Sequence, residues 1–163
     1  MSSYKQIGKG YFTTAYIDSS NRVYLKTTDP IKECMANYFP NSAYFPKVKH
    51  SLVDGFDYEM KYYDKVVSPK KDLNEKSYFI YQELRSIFKS GRYEASYNTW
   101  YKAFKRIKSS KGVKTALLAA LDQITNYSEN IGFEISPRNI KRTDKGNIIL
   151  LDCFFLTDYI RRR

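Results

Sequence analysis

Three polar residues late in the chain have the types and spacing to supply oxygen ligands to a metal ion. Glu134 and Asn139 are five residues apart, and Asp152 follows thirteen after Asn139. Between the last two lie Ile140 to Arg142 and Asn147 to Leu151, two short β-forming runs joined by the turn sequence Thr143-Asp144-Lys145-Gly146. A hairpin returns the chain, so this pattern predicts that Asn139 and Asp152 lie side by side. An amide oxygen beside a carboxylate is a pair of hard ligands suited to Mg²⁺ carried by a nucleotide phosphate. Each residue also has a plainer reading. Asp152 can be an acid closing the strand Ile148-Ile149-Leu150-Leu151, and Asn139 can satisfy backbone groups in a turn.

A second group stands near the start. Gly8 and Gly10 punctuate the β-forming stretch IGKGYFTTAY, and Lys26 ends the short run VYLK 16 residues after Gly10. A lysine in a strand beside a glycine turn can reach phosphate oxygens held under that turn. Glu33, seven residues on, falls in a helical stretch, and an ion pair from helix to strand would hold the lysine extended. Taken alone, the two are a surface pair worth under about 1 kcal/mol. The glycine pair without a third glycine is a weak signal by itself.

The elements that must position these groups can be read from periodicity and breakers. Tyr4 to Ile7, Tyr11 to Ile17 and Arg22 to Lys26 read as three strands, with Val23 and Leu25 on one face of the third and Tyr24 and Lys26 on the other. Asp29 as N-cap and Pro30 at the first helical position predict a short helix over about 30 to 38, ended by Pro40. Phe45 to Leu52 and Phe56 to Tyr63 read as a hairpin around Val53-Asp54-Gly55. Asp64 to Lys76 reads as a polar connector. A helix from Ser77 carries the stripe Phe79, Ile80, Glu83, Leu84 and Ile87 and ends at Gly91. Tyr93 to Lys108 reads as a helix whose outer face bears Lys102, Lys105, Arg106 and Lys108. After a break at Ser109 to Gly112, Lys114 to Asn130 reads as a helix with Leu117, Leu118, Leu121, Ile124 and Tyr127 inward.

Composition narrows the chemistry. His50 is the only histidine, and Cys34 and Cys153 lack metal-ligand spacing. Zinc is therefore disfavoured, as is a Ser-His-Asp or Cys-His centre unless His50 supplies the base; an ordinary strand or loop residue is its plainer role. The net charge of +11 favours acidic partners such as nucleotides, nucleic acid or acidic proteins, although it is dispersed apart from Arg161-Arg162-Arg163 and also suits a plain soluble surface. Two isolated cysteines, no apolar run long enough to cross a bilayer and no secretory leader pattern predict a cytoplasmic protein without a membrane partner.

Taken in order, these pieces resemble the protein-kinase signature. Gly8-x-Gly10-x-Phe12-x-x-Ala15 resembles the glycine-rich loop. Val23-Tyr24-Leu25-Lys26 resembles the third-strand lysine motif, and Glu33 occupies the helix position that pairs with it. Tyr58-Glu59-Met60-Lys61-Tyr62-Tyr63 resembles the strand and hinge that receive adenine, which implicates Glu59 and Met60. Glu134-Ile135-Ser136-Pro137-Arg138-Asn139 resembles the catalytic loop, and Asp152-Cys153-Phe154 stands where the metal-binding triplet belongs. The resemblance spans nearly the whole chain and within kinases looks most like the compact early Ser/Thr kinases of T7-like bacteriophages. It implies an α+β, two-lobed kinase-like fold. Residues 1–63 would form a five-stranded antiparallel N-lobe and 64–163 a truncated helical C-lobe, together one catalytic-type domain. It implies ATP and Mg²⁺ as cofactors and a protein substrate or host protein as partner, in the host cytoplasm if the chain is viral. Lys26 would hold phosphates, Glu33 would orient it, Asn139 and Asp152 would hold Mg²⁺, and Glu134 would take the acceptor hydroxyl's proton.

The sequence departs from that family at several points. Thr13 replaces the third glycine, Glu134 stands for the catalytic aspartate, and Gly132-Phe133 replaces the His-Arg pair. Cys153-Phe154 replaces Phe-Gly, and only 11 residues follow Asp152. On that resemblance, the peptide-binding platform of a full kinase would be missing or built from elsewhere. Three functions therefore stand: a Ser/Thr phosphotransferase, a pseudokinase that docks on a partner, and a basic nucleic-acid-binding protein.

Overall fold

The computed structural model describes residues 3–89 and 94–156. They divide into two units: those up to Phe39 with Pro46–Tyr62, and Pro40–Phe45 with those from Tyr63 onward. The fold is α+β, with a five-stranded antiparallel sheet and several helices.

The first unit opens with β1 (Lys5–Lys9), β2 (Thr13–Ile17) and β3 (Arg22–Thr27), followed by α1 (Pro30–Tyr38), β4 (Lys49–His50) and β5 (Tyr58–Lys61). The sheet order is β1-β2-β3-β5-β4, antiparallel throughout. The helix starts as its sequence predicts: the Asp29 carboxylate accepts from the Ile31 N–H at 2.9 Å, with Pro30 in the first turn. β2 begins later than expected. A hydrogen bond from the Gly10 N–H to the Thr13 carbonyl at 2.8 Å closes a turn and takes Tyr11 and Phe12 out of the ladder. The strand expected over Phe45 to Leu52 shrinks to Lys49–His50. Pro46 has no N–H to give a ladder, and the segment is irregular around the buried side chains of Phe45 and Val48. Gly55 makes the hairpin turn at φ 89°, a backbone region that favours glycine.

The second unit contains β6 (Asp64–Lys65), α2 (Pro69–Asp72), α3 (Glu75–Lys89), β7 (Glu94–Ala95), α4 (Tyr97–Lys105), α5 (Lys111–Ile124), β8 (Ile131–Phe133), β9 (Ile140–Arg142), β10 (Ile148–Leu150) and β11 (Phe154–Phe155). Two three-stranded sheets result, in orders β10-β9-β6 and β11-β8-β7. The polar stretch expected as a connector thus supplies a sheet edge and a short helix. The Asp72 carboxylate makes this possible by accepting from the backbones of Val67 and Ser68 at 2.8 and 3.0 Å. α3 buries Ile80 and Leu84, but Phe79 is 57% exposed and leaves the expected stripe. α5 begins three residues early because the Ser110 hydroxyl caps it through the Val113 N–H, so Gly112 lies inside the helix. Its inner face is Val113, Ala116, Leu117, Ala120, Leu121 and Ile124; Leu118 and Tyr127 are only half-buried. The expected helix over Tyr93 to Lys108 contracts to α4, with β7 before it. Lys102, Lys105, Arg106 and Lys108 are exposed, as a solvated face would be. The expected stop at Gly91, Tyr93 and the run Arg161-Arg162-Arg163 lie outside the described residues. No described helix is long and apolar enough to cross a membrane.

The core of the second unit is aromatic. Trp100, Phe104, Phe133 and Phe154 pack with ring centroids 5.0 to 6.1 Å apart. Strand β8, not foreseen from its three residues, runs through this core, and the Trp100 ring N–H donates to the Ile131 carbonyl at 2.6 Å. Gly132 is needed there: a Cβ would meet the Phe155 ring at 2.2 Å.

Candidate functional site

In the first unit the strand register decides which side chains can meet. Lys26 lies opposite Thr14, and Tyr24 lies opposite both Tyr16 and Glu59. These residues share one face. Val23, Leu25, Tyr58 and Met60 share the other. Helix α1 lies on the second face: Asn37 bonds His50 at 2.9 Å beside Tyr58, and the Glu33 charge is felt at Tyr58 and Cys34. Lys26 therefore points away from the helix that carries Glu33. Its ammonium rests over the rings of Tyr16 and Phe56, 5.5 and 5.4 Å from their centroids. The described residues include no Lys26–Glu33 ion pair; both side chains are exposed.

The other early residues are placed as follows. Gly8 faces Ala15 across the β1–β2 ladder. Neither Gly8 nor Gly10 has a positive φ, and a Cβ on either would meet nothing closer than 3.7 Å, so the backbone itself does not demand glycine. Phe12 sits edge-on to Tyr11, with its carbonyl accepting from the Thr28 N–H. Met60 is buried on the helix side. The Glu59 carboxylate, nearly buried, is held between Arg22 at 3.3 Å and Lys49 at 3.1 Å. His50 is a sheet-edge residue that ties α1 down. Burial pushes the Cys34 thiol up to about 12, with the Glu33 charge adding to the shift, so it stays protonated and inert.

The late residues converge within the second unit. β8 pairs with β11 and β9 pairs with β10, so the loop bearing Glu134 to Asn139 and the segment Leu151 to Cys153 are strapped together twice. The Glu134 N–H donates to the Cys153 carbonyl at 2.8 Å, and the N–H groups of Leu151 and Asp152 donate to the Asn139 carbonyl at 3.3 and 3.0 Å. The hairpin expected from the sequence thus forms, and its ends are adjacent. Ile135 is fully buried, and its carbonyl accepts from the Arg85 guanidinium. The Glu134 carboxylate faces Arg138 at 3.5 Å. The Ser136 hydroxyl oxygen is buried and has no hydrogen-bond partner, while the Ser136 carbonyl accepts from the Asn139 N–H.

Asn139 and Asp152 are adjacent through their backbones, and their side chains carry oxygen donors of the hard kind that Mg²⁺ takes. No group of three His, Cys, Asp or Glu side chains that could cage a metal occurs among the described residues. Phosphate oxygens and water would have to complete the shell, as is usual for Mg²⁺.

Sequence reasoning missed two neighbours. Lys141 lies two residues past Asn139 and is half-buried; Lys65 stands directly opposite it across β6 and β9. Burial holds the Lys141 ammonium below its ordinary pKa, and Lys65 lowers it further, while Asp152 pulls the other way. Period-two alternation from Asn139 would have flagged Lys141; the pairing with Lys65 had no local signal. No protein-family model matches the chain, and no curated protein matches it.

Proposed function

We propose that the chain is a kinase-like module that holds a Mg-nucleotide on its second unit and works by docking on a partner protein. In this reading the two units correspond to a five-stranded N-lobe and a reduced helical C-lobe. The observation that carries it is the orientation of Lys26. A strand lysine clamp needs the helix glutamate on its own face of the sheet, and here Glu33 lies on the other. The juxtaposed Asn139 and Asp152 support retained metal-nucleotide binding. The charge of +11 favours an acidic partner surface. ATP, when bound with Mg²⁺, would bring a transferable phosphoryl group to the site.

A second reading, a Ser/Thr phosphotransferase, is favoured by the strap that ties the Glu134 backbone to Cys153, the neighbour of Asp152. Glu134 would then orient an acceptor hydroxyl and take its proton, with Arg138 facing the carboxylate at 3.5 Å. Labelled ATP with Mg²⁺ separates the two. Nucleotide-dependent thermal stabilisation lost in Asp152→Asn, without transfer to the chain or a generic acceptor, supports the docking module. Transfer abolished by Glu134→Gln, with binding retained, replaces it with the enzyme. No stabilisation by Mg-ATP rejects both.

A further inference from the structure

We infer that Lys141, with Lys65 beside it, is the cation that meets the nucleotide's phosphate chain, in place of Lys26. The inference rests on the Mg-nucleotide reading above and names the residue that completes it.

Two like charges directly opposed on neighbouring strands repel, and sheets normally avoid them. Lys65 and Lys141 are such a pair, in register across β6 and β9. On its other side Lys141 faces Ile149, which is buried, so the lysine stem runs along an apolar neighbour. The charge cannot disperse into a fully solvated surface, because Lys141 itself is half-buried. Arg142 and Asp64, the adjoining charges of these strands, alternate onto the opposite face. An unfavourable pair of this kind becomes favourable when an anion sits between the two ammonium groups.

The position tells which anion. Lys141 is two residues from Asn139, whose carbonyl accepts the Asp152 N–H at 3.0 Å. Two lysines and one aspartate leave the cluster at about one net positive charge, before any metal. A polyphosphate chelating Mg²⁺ at Asn139 and Asp152 would lay its remaining oxygens against these ammonium groups, each contact a charge-assisted hydrogen bond. In the first unit Lys26 is engaged with the rings of Tyr16 and Phe56. The acids near that face are engaged as well: Glu59 by Arg22 and Lys49, and Asp18 by Ser20, Arg22 and the Tyr24 hydroxyl.

The test is calorimetric titration of the full chain with Mg-ATP and with Mg-tripolyphosphate, backed by thermal shift. Lys141→Gln should weaken both probes by about 10- to 100-fold, the range of a lost charged hydrogen bond. Lys65→Gln should weaken them by less, and Lys141→Arg should restore most of the affinity. Lys26→Gln and Lys145→Gln, the latter exposed in the hairpin turn, should stay within about twofold, below the RT-scale differences that matter. Wild-type binding that Lys141→Gln leaves intact overturns the inference while the nucleotide reading stands. Loss in Lys26→Gln instead returns the phosphate to the first unit. Absence of binding by the wild-type chain to either probe sinks both.

Discussion

Each unit presents a lysine from a short strand, and the two lysines meet opposite fates. Lys26 extends from β3 onto the face of the sheet that α1 does not cover, where two aromatic rings take its charge. Lys141 extends from β9 beside a carboxylate, an amide and a second lysine. A strand alternates its side chains whatever follows it, so the residue type does not decide the lysine's job. The face chosen by the next packed element does. In the first unit that element is α1, and it chose the Leu25 side; in the second, the returning hairpin brought Asp152 to the Lys141 side.

The largest expected effects come from the buried side chains of the two units. Phe133, fully buried among Trp100, Phe104 and Phe154, anchors the strand that leads into Glu134. Phe133→Ala should cost about 3 to 5 kcal/mol in urea unfolding and abolish nucleotide-dependent stabilisation together with it. Leu25→Ala, in the first sheet, should cost about 2 to 3 kcal/mol and leave that stabilisation in place. Equal loss of stabilisation in both would overturn the assignment of the proposed site to the second unit.

The two hairpin turns sharpen the contrast. Gly146 has φ 80°, and a Cβ there would meet the Asn74 backbone nitrogen at 2.8 Å. Gly55 has φ 89° with open space around it. Gly146→Ala should therefore cost roughly 3 kcal/mol, from strain plus the close contact, and Gly55→Ala about 1 kcal/mol from strain alone. Similar thermal shifts for the two would show that the second hairpin is not clamped against the start of α3.

The smallest effects concern the carboxylates that tie down turns. Glu83 accepts from the backbones of Lys108 and Ser109 and from the Ser109 hydroxyl at 2.8 to 3.1 Å. Burial pushes its carboxyl up, but these donors outweigh it and hold the group below its ordinary 4.5. In the first unit the backbone N–H of Arg22 and the Ser20 hydroxyl hold Asp18 low in the same way. A depressed folded-state value means that the stability each contributes is complete above the unfolded value and is lost as pH falls through the folded one. Glu83→Gln should cost about 1 kcal/mol near pH 7, allowing for solvent screening, and should flatten the loss of stability below about pH 4.5. Urea midpoints measured between neutral and acid pH give the comparison. An unchanged acid limb in the variant would remove Glu83 from that role.

What the chain's residues determined unaided was local. Asp29-Pro30 set the start of α1, Gly55 and Gly146 set two turns, and the thirteen-residue interval from Asn139 to Asp152 brought those two residues together, because a hairpin's ends meet by chain geometry alone. The alternation of Val23, Tyr24, Leu25 and Lys26 was also legible. The tertiary structure decided which of those faces α1 would cover, and so separated Lys26 from Glu33. It decided that Lys65, from a stretch that reads as a connector, pairs with Lys141, and that Ile131 to Phe133 form a central strand too short to announce itself. Side-chain period and turn chemistry act over a few residues, whereas the covering of a face is settled by the burial of apolar surface from distant segments, which no local pattern encodes.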